Sequence, residues 1–456
     1  MSMDTMTDPK NRTDNHHGDS GPELETSRAR LDELKAQKGR LSRQIGEAKR
    51  AGEPAEALIA ELKAVSDTLK ELQKRRKKAQ QAEAGNGPKE ERPEPSAPAF
   101  YRAPGEPDVT IKDIAADPRE ASLMAKWDQY VSSHPAASPY HLMCIRHFIE
   151  ATYGHTTRYL WARGPDNEIL GVLPLVQLRS RLFGNFVVSV PYFNYGGVLA
   201  DTPEVARALV TEAGRWARFI NASHVEMRHL GEDQLDLPAR TDKVTFWLNL
   251  PKDPDTLWQS FRPKVRAQIR RGEKEEPHCR IGGVELLDDF YEVFAENMRD
   301  LGTPVYSKAF FRNLLGAGGI RTWLVVVNLG GKPCGCAFLL GHGDRMEIPW
   351  ASTLRRYNPT GLNMFMYWRI LVLAMEQGYK QFDFGRCSED AGTYRFKQQW
   401  GAQPVPMRWD YQLSPGAELP GLNPDNPKFQ LLIAAWQRMP VWLSRLIGPH
   451  IVKSLP

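Results

Sequence analysis

The sequence has little cysteine, no long apolar run and no metal-binding motif. Its five cysteines in 456 residues include no C-x-x-C pair, and its 11 histidines include no H-E-x-x-H, so neither a disulfide framework nor a metal site is expected. It contains no run of about 18 apolar residues, which excludes a conventional membrane-spanning helix. The polar N-terminus lacks the apolar segment of a secretory signal. We therefore expect a cytoplasmic protein, free in the cytosol or at the inner face of the membrane.

The positive charge of the chain is concentrated in one segment. The whole sequence carries 60 Lys/Arg and 55 Asp/Glu, a net charge of +5. Residues 22–82 carry 15 Lys/Arg and 10 Asp/Glu, so this segment accounts for the entire excess. A concentrated positive field favours a polyanionic partner.

The first 107 residues divide into a tail, a helical hairpin and a linker. Residues 1–22 are polar and aperiodic, which predicts a disordered tail. Residues 23–82 predict two helices with the a/d spacing of a coiled coil, and the break at 51–54 is short enough for an antiparallel hairpin. The positions with this spacing are Leu31, Leu34, Lys38, Leu41, Ile45, Ala48, Leu58, Leu62, Val65, Leu69 and Leu72. The Pro-, Ala- and Glu-rich residues 83–107 predict a linker.

From residue 108 onward, helical and strand-like patterns alternate, which predicts an α/β (α+β) fold. Residues 108–250 read as helices followed by strand-like runs, and residues 251–415 repeat this order. NEILGVLPLV in the first part and GKPCGCAFLL in the second each place a turn before a glycine-containing apolar strand. This similarity indicates that the second part is a duplication of the first.

The last segment, residues 416–456, is apolar and aromatic with scattered basic residues. One interpretation is a helix packed on the preceding domain. The other is an amphipathic helix in peripheral contact with a membrane that bears the substrate. The sequence leaves both open.

Residues 357–401 carry the polar groups best placed for chemistry. Residues 358–361 precede a helix. The free N–H groups at the start of this helix would hold a phosphate or carboxylate. The alternative is an ordinary helix start that binds no ligand. Asp383 and Arg386 follow a predicted strand, where polar side chains commonly face a cleft, although an aspartate there equally suits a turn. Lys397 would stabilise the oxyanion of an acyl ester, unless it is an ordinary solvated lysine.

Within this stretch, Tyr357, the helix after it, FDFG and YRFKQQWG resemble the C-terminal signature of FemAB-like aminoacyltransferases, which belong to the wider group of GNAT-fold acyltransferases. The resemblance spans residues 108–413. It implies two tandem GNAT-like domains, at 108–250 and 251–415, which form a cleft.

The same resemblance implies roles for individual residues. The Phe-Lys of the family signature lies at the acyl-transfer site, which implies catalytic roles for Phe396 and Lys397. Asp383 is the candidate general base, although groups of the substrate or tRNA would also serve.

Two further stretches resemble the family. FRPKVRAQIRRGEK is similar to the basic helix that opens its second domain, which implies that Arg266 and Arg270 hold ribose-phosphate or substrate phosphate; the alternative is a solvated basic face. VPYFNYGGVLAD is similar to the loop that shapes the substrate cleft. The predicted substrate-binding residues are Arg266, Arg270, Tyr192, Asn194, Tyr195, Trp350, Asn363, Arg386 and Tyr394.

The hairpin sequence LKAQKGRLSRQIGEAKRAGEPAEALIAELKAVSDTLKELQ resembles the N-terminal coiled-coil arm of seryl-tRNA synthetases, which implies tRNA binding by residues 23–82. FemAB enzymes insert a comparable arm in their second domain, whereas residues 251–415 show no such heptads. A protein-binding or dimerising coiled coil is the alternative.

We therefore predict an aminoacyl-tRNA-dependent N-acyltransferase without a cofactor or a metal. The likeness is closest to FemAB-related proteins of exosortase/PEP-CTERM systems, which implies an amine acceptor on a cell-envelope or exopolysaccharide precursor. One alternative is an acyl-CoA-dependent enzyme of the same fold, although no R/Q-x-x-G-x-G/A loop is present and RRYNPTG is the nearest match. The other is a non-enzymatic scaffold in an envelope-assembly complex.

Overall fold

The computed structural model describes residues 34, 37, 40, 41, 44, 54, 56–83, 110–116, 120–231, 235–389, 391–420 and 427–456. The predicted tail at 1–22 and, apart from residue 83, the predicted linker up to 107 lie outside the described residues. Contacts divide the chain into two compact units, Met1–Tyr101 and Arg102–Pro456.

The first unit contains the second arm of the predicted hairpin as helix α1 (Glu56–Glu83). Leu34 and Leu41 from the predicted first arm are helical, and they are buried together with Val65 of α1. Leu58 and Leu62 pack against this cluster. These residues all belong to the predicted apolar seam, so the seam is buried as an antiparallel hairpin requires.

The second unit is built on one mixed sheet with helices on its faces. In the described part of this unit the strands are β1 (Thr110–Asp113), β2 (Thr157–Arg163), β3 (Ile169–Ser180), β4 (Gly184–Val188), β5 (Leu199–Ala200), β6 (His224–Leu230), β7 (Ala239–Arg240), β8 (Lys243–Asn249), β9 (His278–Gly282), β10 (Arg321–Leu329), β11 (Lys332–His342), β12 (Arg345–Thr353), β13 (Gln381–Asp383), β14 (Cys387–Ser388) and β15 (Gln403–Leu413). The main path runs β1-β2-β3-β4-β6-β15-β8-β13-β12-β11-β10-β9.

The helices follow the order predicted from the sequence. Those described in this unit are α2 (Glu120–Ser133), α3 (Met143–Tyr153), α4 (Pro203–Phe219), α5 (Pro254–Ser260), α6 (Pro263–Glu273), α7 (Leu287–Leu301), α8 (Lys308–Leu315), α9 (Leu362–Glu376), α10 (Gly392–Gln398), α11 (Pro427–Gln437) and α12 (Val441–Val452). Helix α4 begins where Thr202 caps the N–H of Val205 and Pro203 occupies the first turn. Helix α9 is buried along most of its length, which explains its nearly continuous apolar sequence.

The two halves of the sheet have the same construction, as the similar sequence patterns of the two halves predicted. In the first half β4 pairs in parallel with β6 after the crossover through α4. In the second half β12 pairs in parallel with β13 after the crossover through α9. These are the only parallel pairs among the described strands, and every other pair is antiparallel.

The halves exchange strands at the centre of the sheet. Strand β8, which ends the predicted first domain, pairs with β13 of the second half. Strand β15, which ends the predicted second domain, pairs with β6 along Met407–Leu413 and with β8 along Gln403–Pro406. Strand pairing therefore crosses the predicted boundary at residue 250. An aromatic-rich core that contains Phe148 and Phe193 of the first half and Phe290 and Phe338 of the second also joins them.

Candidate active site

Two buried carboxylates lie side by side in the second half of the sheet. The parallel register of β12 and β13 places Glu347 opposite Asp383. Glu347 is 3% exposed and Asp383 is fully buried. Buried carboxylates need hydrogen-bond donors, and the two members of this pair, which we call the carboxylate pair, differ in how many they have.

Asp383 accepts hydrogen bonds at all of its lone-pair positions. Its Oδ1 accepts from the Thr245 hydroxyl at 2.6 Å and from the Gly385 backbone N–H at 2.8 Å. Its Oδ2 accepts from the Trp247 indole N–H at 2.9 Å and from the Tyr195 hydroxyl. A carboxylate has four such positions, and these four donors occupy all of them. Asp383 therefore acts as the hydrogen-bond acceptor in all four contacts.

Glu347 accepts only one hydrogen bond at each oxygen. The Tyr140 hydroxyl donates to Oε2 at 2.6 Å and the Asn194 amide donates to Oε1 at 2.7 Å. Burial, together with the neighbouring charge of Asp383, raises the pKa of Glu347 to about 8. Glu347 therefore keeps free lone pairs and titrates in the range where an acid–base group works at neutral pH.

Two cavities with shared lining residues lie beside this pair. The large cavity has a volume of about 620 Å³ and is lined by residues of the loop before α4, the end of β6 and the centre of the sheet. The small cavity has a volume of about 200 Å³, and Glu347 is part of its wall. Tyr195 and Arg345 line both cavities. The guanidinium carbon of Arg345 lies 3.7 Å from the centroid of the Trp247 ring, which fixes a positive charge in the wall of both cavities.

The large cavity has a fixed polar wall. The backbone N–H of Val198 donates to His229 Nε2 at 2.9 Å, so Nδ1 carries the proton that is donated to Asp410 at 2.9 Å. Gly197 lies against the same imidazole, because a Cβ at this glycine would come within 2.3 Å of His229 Cδ2. Pro203, the first residue of α4, also lines the cavity.

Lys397 contacts the loop that follows β13. Its ammonium group is buried and donates to the carbonyl oxygens of Gly385 at 2.5 Å and Arg386 at 2.9 Å. Burial lowers the pKa of Lys397, and the nearby groups Cys387, Asp383 and Glu347 oppose this shift. Lys397 therefore shares an electrostatic environment with the carboxylate pair. Arg386 is exposed, and its guanidinium carbon lies 5.1 Å from the centroid of the Trp409 ring.

Three predicted aromatic residues pack in the core, and none of them lines the two cavities. Phe396 contacts Tyr367 edge-to-face at 4.9 Å between centroids. Tyr394 contacts Phe246 in the same manner at 4.8 Å. Trp350 lies in the aromatic core, with its ring centroid 5.4 Å from that of Phe311.

Tyr192 and Asn363 make structural contacts. The Tyr192 hydroxyl donates to the backbone carbonyl of Lys453 at 2.7 Å, at the end of α12. Asn363 accepts from the Thr353 hydroxyl at 3.2 Å in the first turn of α9. Of the loop residues predicted to shape the cleft, the structure thus brings Asn194 and Tyr195 to the carboxylate pair and places Tyr192 elsewhere.

Helix α6 presents the predicted arginines at the surface. Arg270 is exposed, and its guanidinium carbon lies 5.4 Å from the centroid of Trp258. Arg266 is half-buried one turn earlier. Within the described residues, no carboxylate forms an ion pair with either arginine. Helix α6 therefore carries uncompensated positive charge.

Sequence reasoning missed Glu347, Arg345 and Tyr140. The one available signal was the glutamate in the otherwise apolar strand sequence MEIPWAS, since a charged residue in a buried strand needs a partner. Tyr140 lies 207 positions away from Glu347 and could not be paired with it from spacing alone. Over the part of the chain that the structure describes, no group of three or more His, Cys, Asp or Glu is arranged to hold a metal ion.

Comparison with known proteins gives two sequence-family matches. Residues 259–398 match the family model of the acetyltransferase (GNAT) domain. Residues 22–83 match the seryl-tRNA synthetase N-terminal domain. No curated protein sequence matches the chain significantly.

Solved structures with a similar arrangement are distant in sequence. FemX is 16% identical with a TM-score of 0.51, and the match covers 68% of this chain and 98% of FemX. The tandem GNAT protein from the clavulanic acid biosynthesis pathway is 14% identical with a TM-score of 0.46, covering 69% of this chain and 100% of that one. The C-terminal domain of a putative lysylphosphatidylglycerol synthetase from Agrobacterium fabrum is 13% identical with a TM-score of 0.45, covering 65% and 94%.

The family match to residues 259–398 and the fold shared with FemX confirm the resemblance found in the sequence, and the match to residues 22–83 confirms the likeness of the arm. The chain thus shares the fold of FemX, and it contains a segment that matches the acetyltransferase (GNAT) domain and one that matches the seryl-tRNA synthetase N-terminal domain.

Proposed function

We propose that the chain transfers an aminoacyl group from an aminoacyl-tRNA to an amine of a cell-envelope or exopolysaccharide precursor. The carboxylate pair carries this proposal, because Glu347 supplies a buried proton acceptor in the wall of the small cavity, beside space for a substrate. The arm sequence at residues 22–83 and the uncompensated charge of α6 support a tRNA donor.

Glu347 takes the proton in this mechanism. The acceptor amine attacks the carbonyl carbon of the donor ester, a C–N bond forms, and the bond to the ribose oxygen breaks. The proton that the amine nitrogen loses passes to Glu347 and from there to the leaving ribose oxygen, so the carboxylate ends the cycle unprotonated. Asp383, whose lone pairs are all occupied, keeps Tyr195 and Trp247 in position and raises the pKa of Glu347.

Lys397 stabilises the negative charge that develops on the ester carbonyl oxygen. An ammonium group has three N–H donors, and the carbonyls of Gly385 and Arg386 engage two of them. In this proposal the remaining donor binds the oxyanion, and burial strengthens its electrostatic effect.

The large cavity suits the acceptor. Arg345 places a cationic group in its wall, and Trp247 offers an aromatic surface. An anionic, sugar-bearing precursor presents the phosphate, carboxylate and hydroxyl groups that such a wall binds.

The acyl-CoA alternative has one observation for it and one against it. In the second half, the start of α9 is covered, because a Cβ on Gly272 of α6 would lie 2.7 Å from the carbonyl oxygen of Gly361. A pyrophosphate needs an open helix start. In the first half, Pro203 at the start of α4 lines the large cavity, which favours binding of a phosphate there. Acyl-CoA is therefore the second candidate donor.

The decisive experiment offers the purified chain charged tRNA or acetyl-CoA together with a panel of amino sugars and lipid-linked precursors. We expect an amide product from charged tRNA only. Product from acetyl-CoA alone would select the second candidate. In thermal-shift measurements, a scaffold would respond to neither donor, and absence of both product and shift would reject acyl transfer.

A further inference from the structure

The two C-terminal helices leave large apolar side chains in solvent. On α11 this is Leu432, which is 65% exposed. On α12 they are Trp442 at 67% and Leu446 at 61%, which lie four positions apart and thus on one side of the helix. We call these three residues the C-terminal apolar face. Exposed apolar residues are ordinary when scattered, but large ones grouped on one side of a helix mark an interaction surface.

The inner sides of the same helices are fixed to the enzyme. Gly448 of α12 packs against Val305, where an added Cβ would lie 2.8 Å from the Val305 nitrogen. The Arg299 guanidinium donates to the carbonyl of Met439 between the two helices at 2.8 Å. Tyr192 holds the end of α12 through the carbonyl of Lys453. The helices are therefore docked on α7, and the apolar face is their outer surface.

The charge of the two C-terminal helices has one sign. Residues 427–456 contain Lys428, Arg438, Arg445 and Lys453 and no aspartate or glutamate, a net charge of +4. Arg438 and Lys453 are exposed. On α7, which lies beneath, Asp300 pairs with Arg299 and Glu296 pairs with Arg356, whereas Glu292, whose backbone carbonyl accepts a hydrogen bond from Arg445, is exposed.

We propose that the C-terminal apolar face docks on an anionic lipid bilayer. Apolar side chains on an amphipathic helix enter the boundary between headgroups and acyl chains, tryptophan favours that depth, and basic residues contact anionic headgroups. Such docking is peripheral, because no helix in the described residues is long and apolar enough to cross a membrane. The proposal does not depend on the identity of the acyl donor.

The test measures sedimentation of the full chain with vesicles of phosphatidylcholine alone or of phosphatidylcholine with phosphatidylglycerol. We expect binding to the anionic vesicles that decreases as salt is raised. The double variant Trp442→Glu, Leu446→Glu should bind at least about tenfold more weakly, because it removes apolar contacts and adds two negative charges. The matched control is Phe219→Glu, at an 84% exposed position on α4, which should bind like the parent chain.

The basic arm is present in all of these proteins, so it contributes equally to each measurement. Thermal unfolding should show that the double variant remains folded, because both substituted side chains point to solvent. If folding is impaired, Arg438→Gln with Lys453→Gln replaces it, and weaker binding is again expected. Equal binding of a folded variant and the parent chain would overturn the proposal. So would a parent chain that ignores vesicles and self-associates through this face, as shown by ultracentrifugation.

Discussion

At the scale of single residues, two neighbouring carboxylates have different roles because different numbers of hydrogen-bond donors contact them. Glu347 and Asp383 face each other in one register, yet Asp383 accepts four hydrogen bonds and Glu347 accepts two. The candidate general base inferred from the sequence was Asp383. We propose Glu347 for this role instead, because among the described residues it accepts one hydrogen bond at each oxygen and it lines a cavity.

Glu347→Gln should abolish the rise of turnover with pH that is expected around pH 8, because the amide cannot accept the proton. The rate above that pH should fall by about 10²-fold or more, within the range for a lost general base. The measurement is the pH–rate profile with charged tRNA and the best acceptor of the panel. Glu376→Gln, at an exposed position on α9, is the control that should leave the profile unchanged.

The same substitution has a readout that needs no substrate. The pKa of Glu347 is raised from 4.5 to about 8 in the folded chain. The protonated form therefore contributes its full stability below pH 4.5, and this contribution is lost as the pH rises through about 8. Glu347→Gln should gain stability relative to the parent chain across that interval in denaturant unfolding. A constant difference would show that Glu347 ionises as an ordinary glutamate.

Lys397→Ala should retain the fold and donor binding but lose about 10²–10³-fold in turnover, the effect of removing one oxyanion donor. Because the lysine also holds the carbonyls of Gly385 and Arg386, thermal unfolding and donor affinity must be measured beside the rate. Lys126→Ala, at an exposed position on α2, serves as the control. Turnover close to that of the parent chain would remove Lys397 from the mechanism.

At the scale of elements, local pattern predicts helices well and strand partners poorly. The start of helix α4 at Pro203, for example, is marked in the sequence by its cap Thr202 and its first-turn proline, which are local signals. The exchange of β8 and β15 between the halves is set by contacts between residues far apart in the chain. No local signal reports such pairing, so the neighbours of Asp383 on β8 could not be predicted from the sequence.

Helix α6 is the element on which donor binding is tested. If Arg266 and Arg270 contact phosphates, replacing either by Gln should weaken tRNA binding and lower the slope of log affinity against log salt by about one. Fluorescence anisotropy over a salt series measures this slope. Arg207→Gln, an exposed arginine of α4 that pairs with Glu204, should change neither quantity. An unchanged slope in both α6 variants would mean that their charges only face solvent.

At the scale of the whole molecule, the positive charge and the candidate active site lie in separate units. The arm is part of Met1–Tyr101, and the carboxylate pair is part of Arg102–Pro456. The entire net charge of +5 resides in residues 22–82, including the basic run at 74–78 in the sequence of α1. A dimerising coiled coil does not need this excess, and its self-repulsion would oppose association. A polyanion-binding arm does need it, because binding is driven largely by counterion release.

Deletion of residues 1–90 should therefore leave a folded core, because Arg102–Pro456 is compact by itself. This core should still use a minimal aminoacylated donor that lacks the body of tRNA. Its use of full-length charged tRNA should fall by about tenfold or more, equivalent to ~1.4 kcal/mol of binding free energy. Steady-state kinetics with both donors separates the two effects, and ultracentrifugation of both proteins monitors association. A tRNA-binding arm affects activity only with full-length tRNA, because the minimal donor does not contact it. An equal fall in activity with both donors would therefore assign the arm a structural role. Loss of an oligomer on deletion would lead to the same conclusion.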